Sequence, residues 1–133
     1  MKPRYLVLVE DNPDDAYLAL RVIEKVFPEK VIRARDGEEA LVLLTRLAAE
    51  GIELVELVLL DLKLPKVDGI EVLRSIRSSM ELKGLKVAVL TSSEDEGDQE
   101  RCRELGIADY LFKPLTVAAL IKVLGTAPGS DRR

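Results

Sequence analysis

Acidic, hydroxyl and basic side chains stand at the ends of apolar runs, where they have the right types to bind a phosphoryl group. Glu10 and Asp11 follow YLVLV, Asp61 follows ELVLL, Thr91 follows KVAVL, and Lys113 follows DYLF. Carboxylates in a chain without histidine suit a hard cation, and Mg²⁺ keeps positions open for water and phosphate. A hydroxyl and an ammonium on the same rim suit phosphoryl oxygens. These residues predict an anionic ligand held beside Mg²⁺.

Five short apolar runs rich in Val, Leu and Ile predict the strands that would bring these residues together. They cover residues 5–9, 30–34, 56–60, 86–90 and 109–112. The stretches between them carry apolar residues at helical spacing. The predicted inner faces are Ala16, Leu20, Ile23 and Phe27 in the first helix, Ala40, Leu41, Leu44 and Leu47 in the second, and Val117, Leu120, Ile121 and Leu124 in the fifth.

Helix ends are marked by capping and terminating residues. Residues with short polar side chains predict the starts of four helices: Asn12, Asp36, Asp68 and Ser93. Helix-terminating residues follow three of these helices: Pro28, Gly51 and Gly106. The chain therefore alternates strand and helix five times.

This alternation predicts an α/β fold with a doubly wound, five-stranded parallel sheet and helices on both faces. Right-handed crossovers restrict the possible topologies, and the functional crevice of such sheets lies at the carboxyl ends of the strands. If the strand order is 2-1-3-4-5, a known order for such sheets, the first and third strands are neighbours. Glu10, Asp11 and Asp61 would then converge.

A cluster of three carboxylates is unfavourable for folding alone. A single acid after a strand is commonly a cap or a solvated loop residue. At about 5 Å and an effective dielectric near 20, however, each carboxylate pair costs about 3 kcal/mol, or roughly 10 for three pairs. The whole stability of a domain is about 5–15 kcal/mol. Such a cluster calls for protonation or a counterion.

Length and composition predict one domain over residues 1–125 and a flexible C-terminal tail over residues 126–133. The 133 residues are 47% hydrophobic, which suffices for one core. The formal net charge of -4 disfavours nucleic acid and anionic membranes as partners. No apolar run approaches the roughly 18 residues of a membrane span, and the first run is too short for a signal peptide, so we expect a cytoplasmic protein. Cys102, the single cysteine, is expected to be a packing or surface residue.

Four motifs resemble those of the receiver domain of bacterial response regulators. They are VEDN, LLDLKLPKVDG, VLTSS and DYLFKP, each at the end of the appropriate predicted strand, and the match runs from about residue 5 to residue 124. The resemblance implies the flavodoxin-like receiver fold with strand order 2-1-3-4-5. It also implies a two-component system, in which a histidine kinase supplies the phosphoryl group and the chain turns over no separate substrate.

The resemblance assigns roles to individual residues. Asp61 corresponds to the phosphoacceptor, and Thr91 and Lys113 to residues that bind phosphoryl oxygens. The implied Mg²⁺ ligands are Asp11 and Asp61 directly, Glu10 through water, and the backbone carbonyl of Lys63. Tyr110 matches the switch aromatic of the family, although a tyrosine simply packed against a helix fits equally well. The resemblance also implies a cis Lys113–Pro114 bond, and it places Lys63 and Ser93 at positions that tune phosphoryl lifetime.

The resemblance extends to possible partners. VEDNPDDAYLALRVIEK and TSSEDEGD look like the stand-alone regulators paired with phytochrome-type histidine kinases, and we expect no appended output domain. With the predicted inner face of the fifth helix buried, the small and apolar residues Ala118, Ala119 and Val123 would face outward with Lys122. We therefore expect a homodimer through helix 4, strand 5 and helix 5, with charge-rich helix 4 as the loosest element.

Three alternative functions are open. A haloacid-dehalogenase-like Mg²⁺ phosphatase also uses an aspartate after a strand, but it wants a second aspartate two residues later, where this chain has Lys63. A nucleotide-binding module is disfavoured because neither G-x-x-x-x-G-K-[ST] nor G-x-G-x-x-G occurs. An inert pseudo-receiver acting as an interaction module would be expected to lack an Asp, Thr or Lys, whereas all five rim positions are filled.

Overall fold

The computed structural model describes residues 3–125, which form five parallel strands and five α-helices around one sheet. The elements are β1 Tyr5–Val9, α1 Pro13–Val26, β2 Lys30–Ala34, α2 Gly37–Glu50, β3 Val55–Leu60, α3 Gly69–Ser78, β4 Val87–Thr91, α4 Glu96–Glu104, β5 Tyr110–Phe112 and α5 Val117–Leu124. The strand order β2-β1-β3-β4-β5 confirms the predicted fold class. The predicted tail, residues 126–133, lies outside the described residues. None of the helices within 3–125 is long and apolar enough to span a membrane.

Alternating residues of the central strands supply the two cores. Val7 and Val9 of β1 and Val58 and Leu60 of β3 point to one face, where buried residues of α2, α3 and α4 cover them. The intervening strand residues Leu6, Leu8, Leu57 and Leu59 point to the other face, beneath α1 and α5. Successive side chains of a strand point to opposite faces, so apolar strands of this kind need helices on both sides. The carboxyl ends of the strands are thereby held at one edge.

Three of the predicted helix caps are confirmed. Asn12, Asp36 and Asp68 accept backbone hydrogen bonds from the first turns of α1, α2 and α3. The predicted cap Ser93 is wrong, because Asp95 caps α4 by accepting a hydrogen bond from the Asp98 backbone N–H at 3.0 Å. Ser93 is still bound back to β4 through its own N–H, so the chain has not yet turned into the helix there.

Helix α5 is rotated relative to the prediction. Leu120 and Val123 are buried and Leu124 is partly buried, whereas Ile121 is 56% and Val117 36% exposed. The predicted inward Val117 and Ile121 and the predicted outward Val123 are therefore wrong. Every residue of this helix except Lys122 is apolar, so apolar spacing alone fits several rotations. Packing of α5 beside α1 selects one of them.

Helix α4 contacts the rest of the fold through one apolar anchor and polar contacts at both ends. Its Cys102 is fully buried, as expected of a packing residue, and burial raises the pKa of the thiol to about 11. At its C-terminal end, Arg77 of α3 donates hydrogen bonds to the carbonyls of Leu105 at 2.6 Å and Gly106 at 2.9 Å. The same guanidinium donates hydrogen bonds to two carbonyls of the loop between α3 and β4. The looseness expected of α4 stays a prediction.

Candidate functional site

The carboxyl ends of the strands bring the predicted acidic residues together. Glu10 and Asp11 follow β1 and Asp61 follows β3, and one carboxylate oxygen from each lies within 4.8 Å of the others. The backbone N–H of Asp61 donates to the Val9 carbonyl at 3.1 Å, which extends the β1–β3 ladder to the site. The predicted convergence therefore results from the β1–β3 pairing.

The acidic cluster fits a small hard cation. All of its side-chain donors are carboxylate oxygens; Glu10 and Asp61 are buried, while Asp11 is exposed and leaves one side open to water. Mg²⁺ prefers such oxygen ligands and keeps several waters. The backbone N–H of Lys63 donates to Asp61 Oδ1 at 3.4 Å, and the role of the Lys63 carbonyl as a metal ligand stays a prediction.

Lys113 lies at the centre of the carboxylates. Its Nζ is 2.7 Å from Glu10 Oε1, 3.0 Å from Asp61 Oδ2 and 2.8 Å from Asp15 Oδ2. Burial alone lowers the pKa of this lysine, but the hydrogen bonds to Asp15, Glu10 and Asp61 outweigh it and raise the pKa above its ordinary value. Burial raises the pKa of Glu10, and the neighbouring charge of Asp61 raises it further. The ammonium therefore stays protonated and neutralises part of the cluster.

Two residues of the site were missed in the sequence. Asp15, in the first turn of α1, binds Lys113, and Arg33 of β2 donates to the Glu10 carbonyl at 3.0 Å and the Asp11 carbonyl at 3.1 Å. The signals were a first-turn acid one helical turn after Asp11 and an arginine one residue before the end of the second strand. Helix α1 begins shortly after β1 ends, and β2 pairs with β1, so both side chains reach the acidic loop.

The loop between β4 and α4 connects the predicted hydroxyl and aromatic residues. Thr91 is fully buried at the end of β4, and its Oγ1 accepts a hydrogen bond from Ser93 N at 3.3 Å. The Tyr110 hydroxyl donates to the Ser93 carbonyl at 2.9 Å. The Tyr110 ring packs edge-on against that of Phe112, with 5.4 Å between the ring centroids. Burial raises the pKa of Tyr110. Tyr110 is thus bonded to the loop as well as packed, while its role as a switch stays a prediction.

Two local backbone features shape the loops around Asp61. The Lys113–Pro114 bond is cis, as the resemblance implied. At the start of α3, a Cβ added to Gly69 would lie 2.2 Å from the Asp61 carbonyl oxygen and 2.5 Å from the Leu62 Cα. A side chain at residue 69 would therefore push α3 away from the strand end that carries Asp61.

An open cleft of about 630 Å³ adjoins the acidic cluster. The loop after β3 and helix α3 form one side of it, and α4 contributes Asp98 and Arg101 to the other. Asp11 and Lys63 also line it. The arrangement gives an open approach to the carboxylates with charged groups of both signs along it.

Comparison with known proteins identifies the family and fold of the chain. The sequence profile described as the response regulator receiver domain matches residues 6–125. The chain belongs to this receiver-domain family. Apart from Tyr5, the match covers every strand and helix described above, so membership applies to nearly the whole described domain.

Two curated relatives cover most of the receiver domain. The probable methanogenesis regulatory protein FilR2 of Methanothrix harundinacea (strain 6Ac) is 42% identical over 115 residues, which are 86% of this chain and 74% of that protein. Response regulator Rcp1 of Synechocystis sp. (strain ATCC 27184 / PCC 6803 / Kazusa) is 36% identical over 124 residues, 92% of this chain and 84% of its own. The receiver domain is thus similar to response regulators along nearly its whole length.

Solved structures agree with this assignment. The bacteriophytochrome response regulator AtBRR is 41% identical with a TM-score of 0.80, covering 93% of this chain and 91% of that one. The Mn²⁺-bound form of Rcp1 is 36% identical with a TM-score of 0.74, and the phosphorylated cyanobacterial phytochrome response regulator RcpA is 34% identical with a TM-score of 0.76. Each covers 92% of this chain and 89% of its own.

Proposed function

We propose that this receiver domain accepts a phosphoryl group on Asp61 from a histidine kinase, with Mg²⁺ bound by Asp11, Asp61, the Lys63 carbonyl and, through water, Glu10. The observation that carries the proposal is the convergence of the three carboxylates, two of which, Glu10 and Asp61, contact the Lys113 ammonium at 2.7 Å and 3.0 Å. Relatives support the metal and the modification, since Rcp1 has a Mn²⁺-bound structure and RcpA a phosphorylated one.

In the proposed transfer, an Asp61 carboxylate oxygen attacks the phosphorus of a phosphohistidine. The new O–P bond forms as the N–P bond breaks, and the imidazole leaves with the electron pair of that bond. Lys113 presents an ammonium, and Thr91 a hydroxyl, to phosphoryl oxygens. Mg²⁺, when bound, would neutralise charge on the transferring group. The chain chiefly positions these groups, which is what phosphoryl transfer asks of a protein.

Because the chain belongs to the receiver family, we favour a receiver function over that of a haloacid-dehalogenase-like phosphatase. The inert pseudo-receiver is disfavoured because Asp61, Thr91 and Lys113 are all present at the strand ends. The proposed chain modifies itself and signals through contacts with other proteins, without turnover of a separate substrate.

Phosphorylation by acetyl phosphate tests the proposal. We expect wild-type protein to gain the mass of one phosphoryl group in Mg²⁺ and none in excess chelator, because the uncompensated carboxylates repel an anionic donor. Asp61→Asn is expected to gain none. Asp14→Asn, which removes an exposed acid in the first turn of α1, is the matched control and is expected to react like wild type. Intact mass spectrometry reads all of these states, and a gain that survives Asp61→Asn contradicts the assignment.

The proposed phosphodonor is a phytochrome-type histidine kinase. The support is that AtBRR is a bacteriophytochrome response regulator and RcpA a phytochrome response regulator, at 41% and 34% identity. Such a kinase would present a phosphohistidine to the open rim above Asp61. Nucleic acid and membranes are not part of the proposal.

We also propose a homodimer through α4, β5 and α5, strengthened by phosphorylation. The outward apolar side chains on this face are Phe112, Val117 and Ile121, exposed by 47%, 36% and 56%. They replace the predicted Val123, which is buried. The edge position of β5 places Phe112 where a second copy can reach it.

Sedimentation at micromolar concentration, with and without beryllofluoride as a phosphoryl mimic, tests the dimer. We expect the mimic to increase the dimer fraction and Ile121→Glu to weaken the dimer at least tenfold, because a charge would be buried in an apolar contact. Val42 of α2 is as exposed as Ile121, so Val42→Glu is the control and is expected to leave association unchanged. A dimer unaffected by Ile121→Glu excludes this face, and a monomer under both conditions excludes the dimer.

A further inference from the structure

Ser93 and Lys63 stand in equivalent relations to the two strand ends beside them. Each lies two residues after a site residue, and each donates its backbone N–H to that residue's side chain: Ser93 to Thr91 Oγ1 and Lys63 to Asp61 Oδ1. Lys63 lines the cleft together with Asp98 of α4, which Ser93 contacts. Any change in the position of either loop is therefore transmitted to the reactive oxygens.

Asp98 of α4 contacts one of these loops directly and attracts the other. The Ser93 hydroxyl donates to Asp98 Oδ2 at 2.8 Å, and Arg101 donates to Asp98 Oδ1 at 2.8 Å. The Asp98 side chain is 19% exposed. The hydrogen bond from Ser93 lowers its pKa, and the positive charges of Arg101 and Lys63 lower it further. Asp98 is therefore an anion at neutral pH that accepts a hydrogen bond from Ser93 and is attracted by the charge of Lys63.

We propose that Asp98 is a positioning residue that holds the loop between β4 and α4 in its unphosphorylated arrangement, so that phosphorylation of Asp61 must work against the Ser93–Asp98 hydrogen bond. This inference rests on the proposed function of Asp61. The backbone N–H of Ser93 donates to the Thr91 side-chain Oγ1, so a shift of the Thr91 hydroxyl toward a phosphoryl group moves Ser93 with it. That shift stretches the contact between Ser93 and Asp98.

Charge acts in the same direction as this contact. Asp98 adds a negative charge to the cleft that Asp11 and Lys63 also line, and it attracts the Lys63 ammonium. Removal of Asp98 therefore both releases the loop and lowers repulsion of an incoming anion. Both effects favour the phosphorylated arrangement.

Binding of beryllofluoride, in Mg²⁺ and excess fluoride, measures this preference by titration calorimetry. We expect Asp98→Ala to lower the half-saturating concentration about tenfold, the size of one hydrogen bond to a charged group. Ser93→Ala removes only the contact and is expected to give a smaller decrease. The double variant is expected to give no larger a decrease than Asp98→Ala alone, because both changes remove the same contact. Asp98→Asn keeps an acceptor for Ser93 without the charge and is expected to lie between Asp98→Ala and wild type.

Glu96→Ala is the matched control, since Glu96 is an exposed acid in the same first turn of α4. It changes the charge and the helix start equally, and we expect its half-saturating concentration to match wild type within about twofold. A purely structural role for Asp98 would lower the melting temperature without tightening beryllofluoride. The inference is overturned if Asp98→Ala behaves like Glu96→Ala, or if the Asp98 and Ser93 effects simply multiply. If wild type binds no beryllofluoride, the proposed function fails and this inference with it.

Discussion

Replacing Lys113 by methionine is expected to lower the free energy of unfolding of the metal-free protein by about 3 kcal/mol at neutral pH. The Lys113 ammonium contacts Glu10, Asp15 and Asp61, and its side chain is only 16% exposed. Without it, buried carboxylates face one another uncompensated. Chemical denaturation of wild type and variant in chelator measures the difference.

The size of this loss should depend on pH and on metal. Burial already raises the pKa of Glu10 above its ordinary 4.5, and loss of Lys113 raises it further. A carboxyl whose folded pKa is raised destabilises the fold as pH rises above its unfolded value. The deficit of Lys113→Met is therefore smallest near pH 4.5 and grows toward neutral pH. Saturating Mg²⁺ is expected to recover most of it, since the cation replaces the missing positive charge.

Two further variants serve as comparisons. Lys30→Met removes an exposed lysine from β2 and is expected to change stability by less than about 0.5 kcal/mol. Asp61→Asn should act oppositely to Lys113→Met and stabilise the metal-free protein. At an effective dielectric of 20, the repulsion from Glu10 and Asp11 is about 3.5 kcal/mol each, or about 7 together, which exceeds an attraction of about 5.5 kcal/mol to Lys113. Equal losses in Lys113→Met and Lys30→Met would contradict an electrostatic role for Lys113.

Arg77→Ala is expected to lower the free energy of unfolding by about 3 kcal/mol through a different mechanism. The guanidinium of Arg77 donates to four carbonyls, those of Lys83, Leu85, Leu105 and Gly106, at 2.6–2.9 Å. Burial lowers the pKa of this arginine, so its charge is partly desolvated as well. Its removal breaks the hydrogen bonds that hold α3 to the C-terminal end of α4 and to the loop that leads into β4. Urea denaturation measures the change in midpoint and slope.

Arg74→Ala is the matched control for this prediction. Arg74 lies on the same helix, with a 48% exposed side chain that pairs with Glu71 three residues earlier. Exposed pairs of this kind contribute about 0.5 kcal/mol or less. Arg77→Lys keeps the charge but loses the planar fork, and we expect it to recover little of the stability. A similar small loss in Arg77→Ala and Arg74→Ala would show that the four carbonyls are equally well satisfied by water.

The strand ends illustrate what the sequence could predict. Apolar runs alternating with helical spacing require a parallel sheet covered on both faces, and in such a sheet all carboxyl ends lie at one edge. The residues directly after those runs, such as Asp61 and Lys113, had to gather there. Where an observed strand boundary differs from the predicted one, as in β3 and β4, it differs by a single residue.

Helix α5 and the α4 cap show where local pattern was insufficient. In α5 nearly every position is apolar, so the sequence left the buried face undetermined and packing beside α1 chose Leu120 and Val123. Before α4 the sequence pattern predicted Ser93 as the cap. The hydrogen bond from the Ser93 backbone N–H to Thr91 Oγ1 keeps Ser93 in the loop, and Asp95 caps the helix instead.

The sequence by itself determined the fold class, the edge of the sheet that carries the site, and the identities of its acidic, hydroxyl and basic residues, because these follow from strand ends and periodicity. Tertiary structure alone decided which more distant side chains complete the site. Asp15 reaches Lys113 across 98 residues, and Arg33 reaches the carbonyl of Glu10 from the neighbouring strand. Such contacts depend on the distance and direction between packed elements, which residue spacing along the chain does not contain.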